Sequence, residues 1–346
     1  MKSNIYIIVV AALLLVSCGA SVSGPVQDVM PKKAYAKAIA EYDNLSDEFV
    51  DGVCWVSKNS MYGAINAKGV EVIPCKYEDI VAAGEGLLIF ELDNKYGYVN
   101  QKGEEVVPAK YYRVGEFNDG LAIVATRDES YNYHYGYINT NGEEIIPLKY
   151  ESATEFSSGL AAVYVKDKDA WGYINAKNEF VIEPIYDDAN IFSDGLAIVR
   201  KNSKDFAINN KGEYIVSLKS NEEFWAENYS CGLIPIFREK GNKLVVVYLN
   251  TAGEDAFAQE YHYGEEFEDD KAMVLLDNKV AYIDTKGNVL EETPDPESIA
   301  EFLDDALRYA SKSVVFTAMK AVVNLLDGEL QEDWLDLLED YGDDEW

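Results

Sequence analysis

The chain has 346 residues, with 62 acidic against 30 basic side chains and a formal net charge of −32. That length suits one large array or two ordinary domains, and the charge disfavours nucleic acid and anionic membrane surfaces, which are bound through Lys and Arg clusters. Only two histidines, His134 and His262, are present, which leaves little for His-based zinc sites or for Ser-His and Cys-His triads.

Residues 1–17 read as a targeting segment. Lys2 supplies a positive start, and Ile5 to Val16 is an apolar run of 12 residues, shorter than the ~20 that a bilayer span requires. Leu15-Val16-Ser17-Cys18 resembles the lipobox of bacterial lipoproteins. The resemblance implies cleavage before Cys18 and acylation of Cys18, with each buried CH₂ of the lipid contributing ~0.8 kcal/mol of anchoring. It places the protein in the bacterial cell envelope on a lipid anchor, with the outer membrane favoured over the inner one.

Residues 18–48 follow as a lipid-linked tether and a short helix. GASVSGPVQDVMP is the tether, and Pro31 opens the helical sequence KKAYAKAIAEY over 32–42. Tyr35, Ala38, Ile39 and Tyr42 fall at spacings of 3 and 4. That face is expected to cover the first repeat, because the bare edge of a β array invites aggregation.

From 49 to 293 one unit recurs. Its first segment is an apolar run after a turn Gly: GLLIF at 86, GLAIV at 120, GLAAV at 159 and GLAIV at 195. The second is aromatic-Gly-x-apolar-Asn, led by Tyr62-Gly63, Tyr96-Gly97, Tyr135-Gly136 and Trp171-Gly172. The third is a β-branched pair near Pro, at 72–74, 106–108, 145–147 and 181–184. All three are short and rich in strand formers. The second and third segments meet at NAKG (66–69), NQKG (100–103), NTNG (139–142), NAKN (175–178), NNKG (209–212), NTAG (250–253) and DTKG (284–287). Asn or Asp opens such a turn by bonding to backbone two residues on. Gly, or Asn178 in its place, closes it with positive φ. The opening residues step by 34, 39, 36, 34, 41 and 34, the mark of a repeat array.

The pattern aromatic-Gly-x-Ile-Asn-x-x-Gly-x-x-[Val/Ile]-Ile-Pro-x-x-Tyr, followed by Phe-x-x-Gly-Leu-Ala-x-Val, resembles the WG-type (WG/KWG) β-repeat of bacterial proteins. The resemblance implies a β-repeat array with no defined catalytic activity. Asp205-Phe206, Val246-Val247 and Val280-Ala281 replace the aromatic-Gly pair in the last three copies. The expected fold is mainly β: about seven three-stranded repeats in an open superhelical array, with helical N- and C-terminal segments as caps. The alternative is a closed β-propeller, whose four-stranded blades usually run longer, ~40–50 residues.

Length variation gathers between the first and second strands, where spacings of 10, 10, 15, 12 and 10 separate the turn Gly from the aromatic position. In repeat proteins such an edge is often the binding face. The candidate contact residues therefore lie in these loops: Asp128, Tyr131, Tyr133 and His134; Lys166 and Lys168; Arg238 and Lys240. The aromatic stripe Tyr62, Tyr96, Tyr135 and Trp171 reads as repeat core, with sugar stacking as its sharper alternative. Cys54 and Cys75 share a repeat and are read either as a disulfide or as small buried apolar groups.

Residues 294–328 read as a C-terminal helical cap, with Ile299, Phe302, Leu303, Ala306, Leu307 and Ala310 at helical spacing. Residues 329–346 form an acidic tail. No GxSxG, SxxK, Walker-type, HExxH or calcium-loop motif occurs. The expectation is a non-enzymatic, lipid-anchored scaffold without cofactor or metal, which binds a protein partner through its variable loops. A carbohydrate-binding module is the alternative, and nucleic acid is not an expected partner.

Overall fold

A computed structural model describes residues 24–25, 29–46, 48–241, 243–276, 279–291, 294, 298–299, 302–303 and 306. Cys18 and the acidic tail lie outside the described residues. The chain divides into two compact units, residues 1–169 with 173–180, and residues 170–172 with 181–346. The division falls inside one hairpin, Ala170–Ile174 and Phe180–Tyr186.

The protein is a tandem array of antiparallel β-hairpin units. The second repeat shows the plan: Asp79–Ala82, Leu87–Leu92, Lys95–Asn100 and Glu105–Tyr111 lie side by side in that order. The last three are the strands read from the sequence, and the first is an extra leading strand. Among the described residues four of the repeat sheets have four strands, so strand number does not separate this unit from a four-stranded blade. The leading strand was invisible in the sequence because only Ile80 of DIVA is buried, leaving no alternation to detect.

The seven turns behave alike. In each, the opening side chain accepts backbone N–H groups two and four residues on. Asn100 Oδ1 takes Lys102 N at 2.9 Å and Glu104 N at 3.0 Å. The same pair of bonds recurs at Asn66, Asn139, Asn175, Asn209, Asn250 and Asp284. In the last turn the polarity of the side-chain pair is exchanged. Asn100 Nδ2 donates to Glu104, whereas Asn288 Nδ2 donates back to Asp284.

The aromatic-Gly pair and the Pro-containing strand form one device. Tyr135 stands opposite Tyr150 and Tyr137 opposite Ile146, so the third strand bulges past Gly136. The first and second repeats repeat this register. Pro147 sits in the bulge, where its missing N–H costs no ladder bond. The bulge presses backbone against Gly136, leaving no room for Cβ. In the fifth repeat Phe206 replaces Gly, and the third strand runs past it without a bulge, pairing Phe206 with Ser217 and Ala207 with Val216.

Adjacent repeats supply each other's core. In the first unit, Val53, Ala64, Ile73 and Tyr77 pack on Ile80, Leu88, Phe90 and Val99 of the next repeat. The second and third repeats, and the third and fourth, share equivalent clusters. Both faces of the central strand are thus covered, and Tyr137 and Ile138 are both fully buried although they point oppositely. In the second unit the fifth and sixth repeats share one cluster and the sixth and seventh another.

Buried tyrosines tie the copies together. The hydroxyls of Tyr98, Tyr137 and Tyr248 donate to the carbonyls of Gly115, Thr154 and Glu265, each 17 residues on, at 2.7–2.8 Å. The turns before the first strands form a second ladder. Gly120, Gly159 and Gly232 donate N–H groups to the carboxylates of Glu85, Asp119 and Asp194 of the preceding repeats. These acids serve the fold.

The helix spans Lys32–Glu41 with Pro31 at its N-cap position. Met30 and Ala38 are buried with Phe49, Cys54, Val56 and Ile65, and Ala34, Tyr35 and Tyr42 pack beside them. The helix therefore covers the first repeat, but through 34, 35, 38 and 42. Ile39 is 56% exposed, a correction to the expected face. Gly69 of the first turn faces Ala34 and Met30, as Gly142 of the third repeat faces Val106 and Val107 of the second. The helix thus takes at Gly69 the place that the third strand of the preceding repeat takes at Gly142. Neither Cys54 nor Cys75 is in a disulfide, and both pack in this same cluster. At the other end Ile299, Phe302, Leu303 and Ala306 are buried with Tyr263 and Tyr248 of the last repeats. Leu307 and Ala310 lie outside the described residues.

Candidate functional site

The loops between first and second strands differ in how they are held. In the first, second and fifth repeats they are two-residue turns, Asn59-Ser60, Asp93-Asn94 and Asn202-Ser203, with both residues at positive φ, the I′ geometry that matches strand twist. Each is capped by an acid from the start of its own sheet: Asp43 accepts Asn59 N, Glu78 accepts Asp93 N, and Asp187 accepts Ser203 N.

The third repeat breaks the rule. Tyr112 occupies the position of Glu78 and Asp187, and Arg113 that of Asp79 and Asp188. The turn is held from within instead. Asp128 Oδ1 accepts Ser130 N at 2.8 Å and Asn132 N at 2.9 Å, while Oδ2 accepts Asn132 Nδ2 and lies 3.2 Å from His134 Nε2. These bonds, the Asn132 backbone N–H first among them, hold the Asp128 carboxyl down at about 2.

Freed from capping, Tyr112 joins a run of alternating cations and rings. Lys95 Nζ lies 5.3 Å from the Tyr112 ring, and Arg127 Cζ lies 4.4 Å from Tyr112 and 4.8 Å from Tyr131. Beside it Arg113 Cζ lies 4.2 Å from the Tyr133 ring and its Nη1 donates to Tyr135 Oη at 3.0 Å. The strand register places Arg127 opposite Tyr133 and Arg113 opposite Ala125, itself opposite Tyr135. Tyr131, at the tip, is 73% exposed and strained at φ 67°.

The sequence-derived candidates divide accordingly. Asp128, Tyr131, Tyr133 and His134 come together on this one turn. Lys166 and Lys168 lie on the corresponding loop of the fourth repeat, a single 3₁₀ turn. Lys166 pairs with Glu151, and Lys168 Nζ lies 5.9 Å from the Phe180 ring. Arg238 is 11% exposed and gripped by Glu222 at 2.8 Å and by both oxygens of Asp255 at 2.6 and 2.8 Å. Lys240 pairs with Glu260. Arg238 thus serves an ion-pair network. Lys95, Tyr112, Arg113 and Arg127 were missed, although Tyr112-Arg113 at positions that are acidic in the second and fifth repeats was a readable signal.

The stripe Tyr62, Tyr96, Tyr135 and Trp171 is half-buried at the margins of the repeat cores. Among the described residues no grouping of three His, Cys, Asp or Glu side chains could hold a metal ion, and no helix is long and apolar enough to cross a membrane.

No curated protein matches the chain. Solved structures resemble it only distantly. A eukaryotic initiation factor shares 12% identity over 69% of this chain and 72% of its own, with a TM-score of 0.45. The AfRom2 CNH domain shares 11% over 73% and 96%, at 0.33. Apo AztD from Citrobacter koseri shares 13% over 72% and 87%, at 0.38. The family of the WG containing repeat matches at residues 62–96, 96–128, 135–168 and 171–204, each copy opening on an aromatic-Gly pair, so the chain carries four tandem WG repeats.

Proposed function

We propose that this protein is a non-enzymatic, lipid-anchored repeat scaffold of the bacterial cell envelope that binds a protein partner through the third repeat's inter-strand turn. One observation carries the reading. In the first, second and fifth repeats an acid of the same sheet caps this turn, whereas the 128–134 turn is held from within and presents the exposed Tyr131 ring beside Arg127. Rigid aromatic and Arg side chains are the groups that dominate protein interfaces. The anchor rests on the lipobox resemblance at Cys18.

Two substitutions test it. Cys18→Ser moves the protein from the membrane to the soluble fraction. Replacing residues 128–132 by a two-residue Asn-Gly turn, equivalent to Asp93-Asn94 of the second repeat, leaves the fold intact and abolishes recovery of a specific partner from solubilised envelope. Retention of the same partner by the shortened chain sinks the proposal.

The exposure of the Tyr131 ring also favours a second reading, carbohydrate binding by stacking. Glycan binding that is lost in Tyr131→Ala, with no protein partner recovered, selects it.

A further inference from the structure

Four arginines lie among the described residues: Arg113, Arg127, Arg200 and Arg238. Two are satisfied by carboxylates of the chain itself. Arg200 holds Asp205 through Nε and Nη2 at 2.7 and 3.2 Å, and Arg238 holds Asp255 and Glu222. The other two have no ion pair with a described carboxylate, in a chain with twice as many acids as bases. The contrast between repeats is positional. In the fifth repeat the aromatic position is Asp205, which takes Arg200. In the third it is Tyr135, which offers Arg113 one phenol oxygen.

Aromatic neighbours hold these arginines in place of carboxylates. A ring engages the face of a guanidinium and leaves its in-plane N–H groups free. Arg113 engages the hydroxyls of Tyr135 and Tyr133, and Arg127 Cζ lies within 4.8 Å of both the Tyr112 and Tyr131 rings. These contacts restrict both side chains in advance, which reduces the entropy lost when a carboxylate docks.

We propose that Arg113 and Arg127 form a paired receptor for the carboxylates of an acidic peptide segment, with Lys95 and the surrounding tyrosines completing its floor. The proposal deepens the reading of the third-repeat turn as the contact face and rests on it. Charge selects a peptide over a longer polyanion. Three cations make the patch, and screening extends only ~8 Å at physiological ionic strength. A nucleic acid running beyond the patch meets the acidic remainder of the surface, whereas a segment with a few Asp or Glu does not.

The test uses the full chain and three labelled probes: a Glu-rich peptide, its Gln counterpart and single-stranded oligo-dT. The Glu peptide binds, the Gln peptide does not, and the affinity falls with salt. Arg113→Gln and Arg127→Gln each weaken binding by about tenfold, the loss of a charge-assisted hydrogen-bonded pair. Arg127→Lys, which keeps the charge and loses the fork, also weakens it and decides the matter if a Gln variant fails to fold. Absence of Glu-peptide binding, equal binding of the Gln peptide, tighter binding of oligo-dT, or indifference to both arginines overturns the proposal. A partner whose capture needs residues 128–132 but ignores Arg113 and Arg127 refutes the receptor and leaves the scaffold reading standing.

Discussion

Replacing Gly136 by alanine sets a methyl carbon 2.5 Å from the Ile146 carbonyl oxygen and 2.8 Å from Leu148 N and Pro147 C. Unstrained contacts to carbon lie at roughly 3.5–4.0 Å. All three obstacles are backbone, so no rotamer relieves them and the bulge itself must shift. Overpacking of this kind costs about 1–3 kcal/mol, and a cost near 3 is expected here, about a hundredfold in the folded-to-unfolded ratio. Gly120 of the same repeat provides the control. Its φ is 78° and nothing lies within 4 Å of a Cβ placed there, so alanine meets only left-handed strain of about 1–2 kcal/mol. Urea unfolding monitored by fluorescence and by amide exchange in the third repeat compares the two, with the order Gly136→Ala worse than Gly120→Ala. Equal effects, or a Gly136→Ala change below ~0.5 kcal/mol, refute the link between the aromatic-Gly pair and the Pro bulge.

Asn100→Asp places two carboxylates together with Glu104 and lowers stability, and adding Glu104→Asn restores it by recreating the Asp284–Asn288 arrangement; failure of the rescue in urea titrations contradicts the turn chemistry. Tyr137→Phe leaves the Thr154 carbonyl without its buried donor and costs about 1–3 kcal/mol, measurable as a shift in denaturation midpoint with unchanged slope. The Asp128 carboxyl, held down at about 2, lies below its ordinary value of about 3.9. A depressed folded pKa stabilises above the unfolded value and loses that contribution as pH falls through the folded one. The turn therefore stays ordered near pH 4 and loosens toward pH 2, and carboxyl-carbon NMR gives a midpoint near 2. A midpoint in the ordinary carboxylate range removes the internal scaffold.

What the sequence disclosed was local chemistry. An Asn that bonds two residues on, and a Gly at positive φ, act within four residues, so each turn was legible at Asn66, Asn100 and their equivalents. The bond from Gly159 to Asp119 spans 40 residues and belongs to the stacking of copies, which no single repeat records. The packing of Ala34 rather than Ile39 against the core followed from where the helix sits over Gly69 of the first turn. The leading strands escaped because one buried side chain suffices where backbone pairing supplies the rest. At the site, loop length pointed to Tyr131 and Tyr133. It gave equal standing to Arg238, whose neutralisation by Asp255 depends on a neighbour 17 residues away.

A photo-crosslinking residue placed singly at Tyr131, Asn94 and Asn202 in intact cells expressing the protein compares the third repeat's turn with the corresponding turns of the second and fifth. The division of labour between structural turns and one contact turn predicts a discrete protein adduct from position 131, lost with Arg113→Gln and Arg127→Gln together, and none from 94 or 202. Adducts of equal yield from all three positions, or an adduct from 202 alone, contradict it.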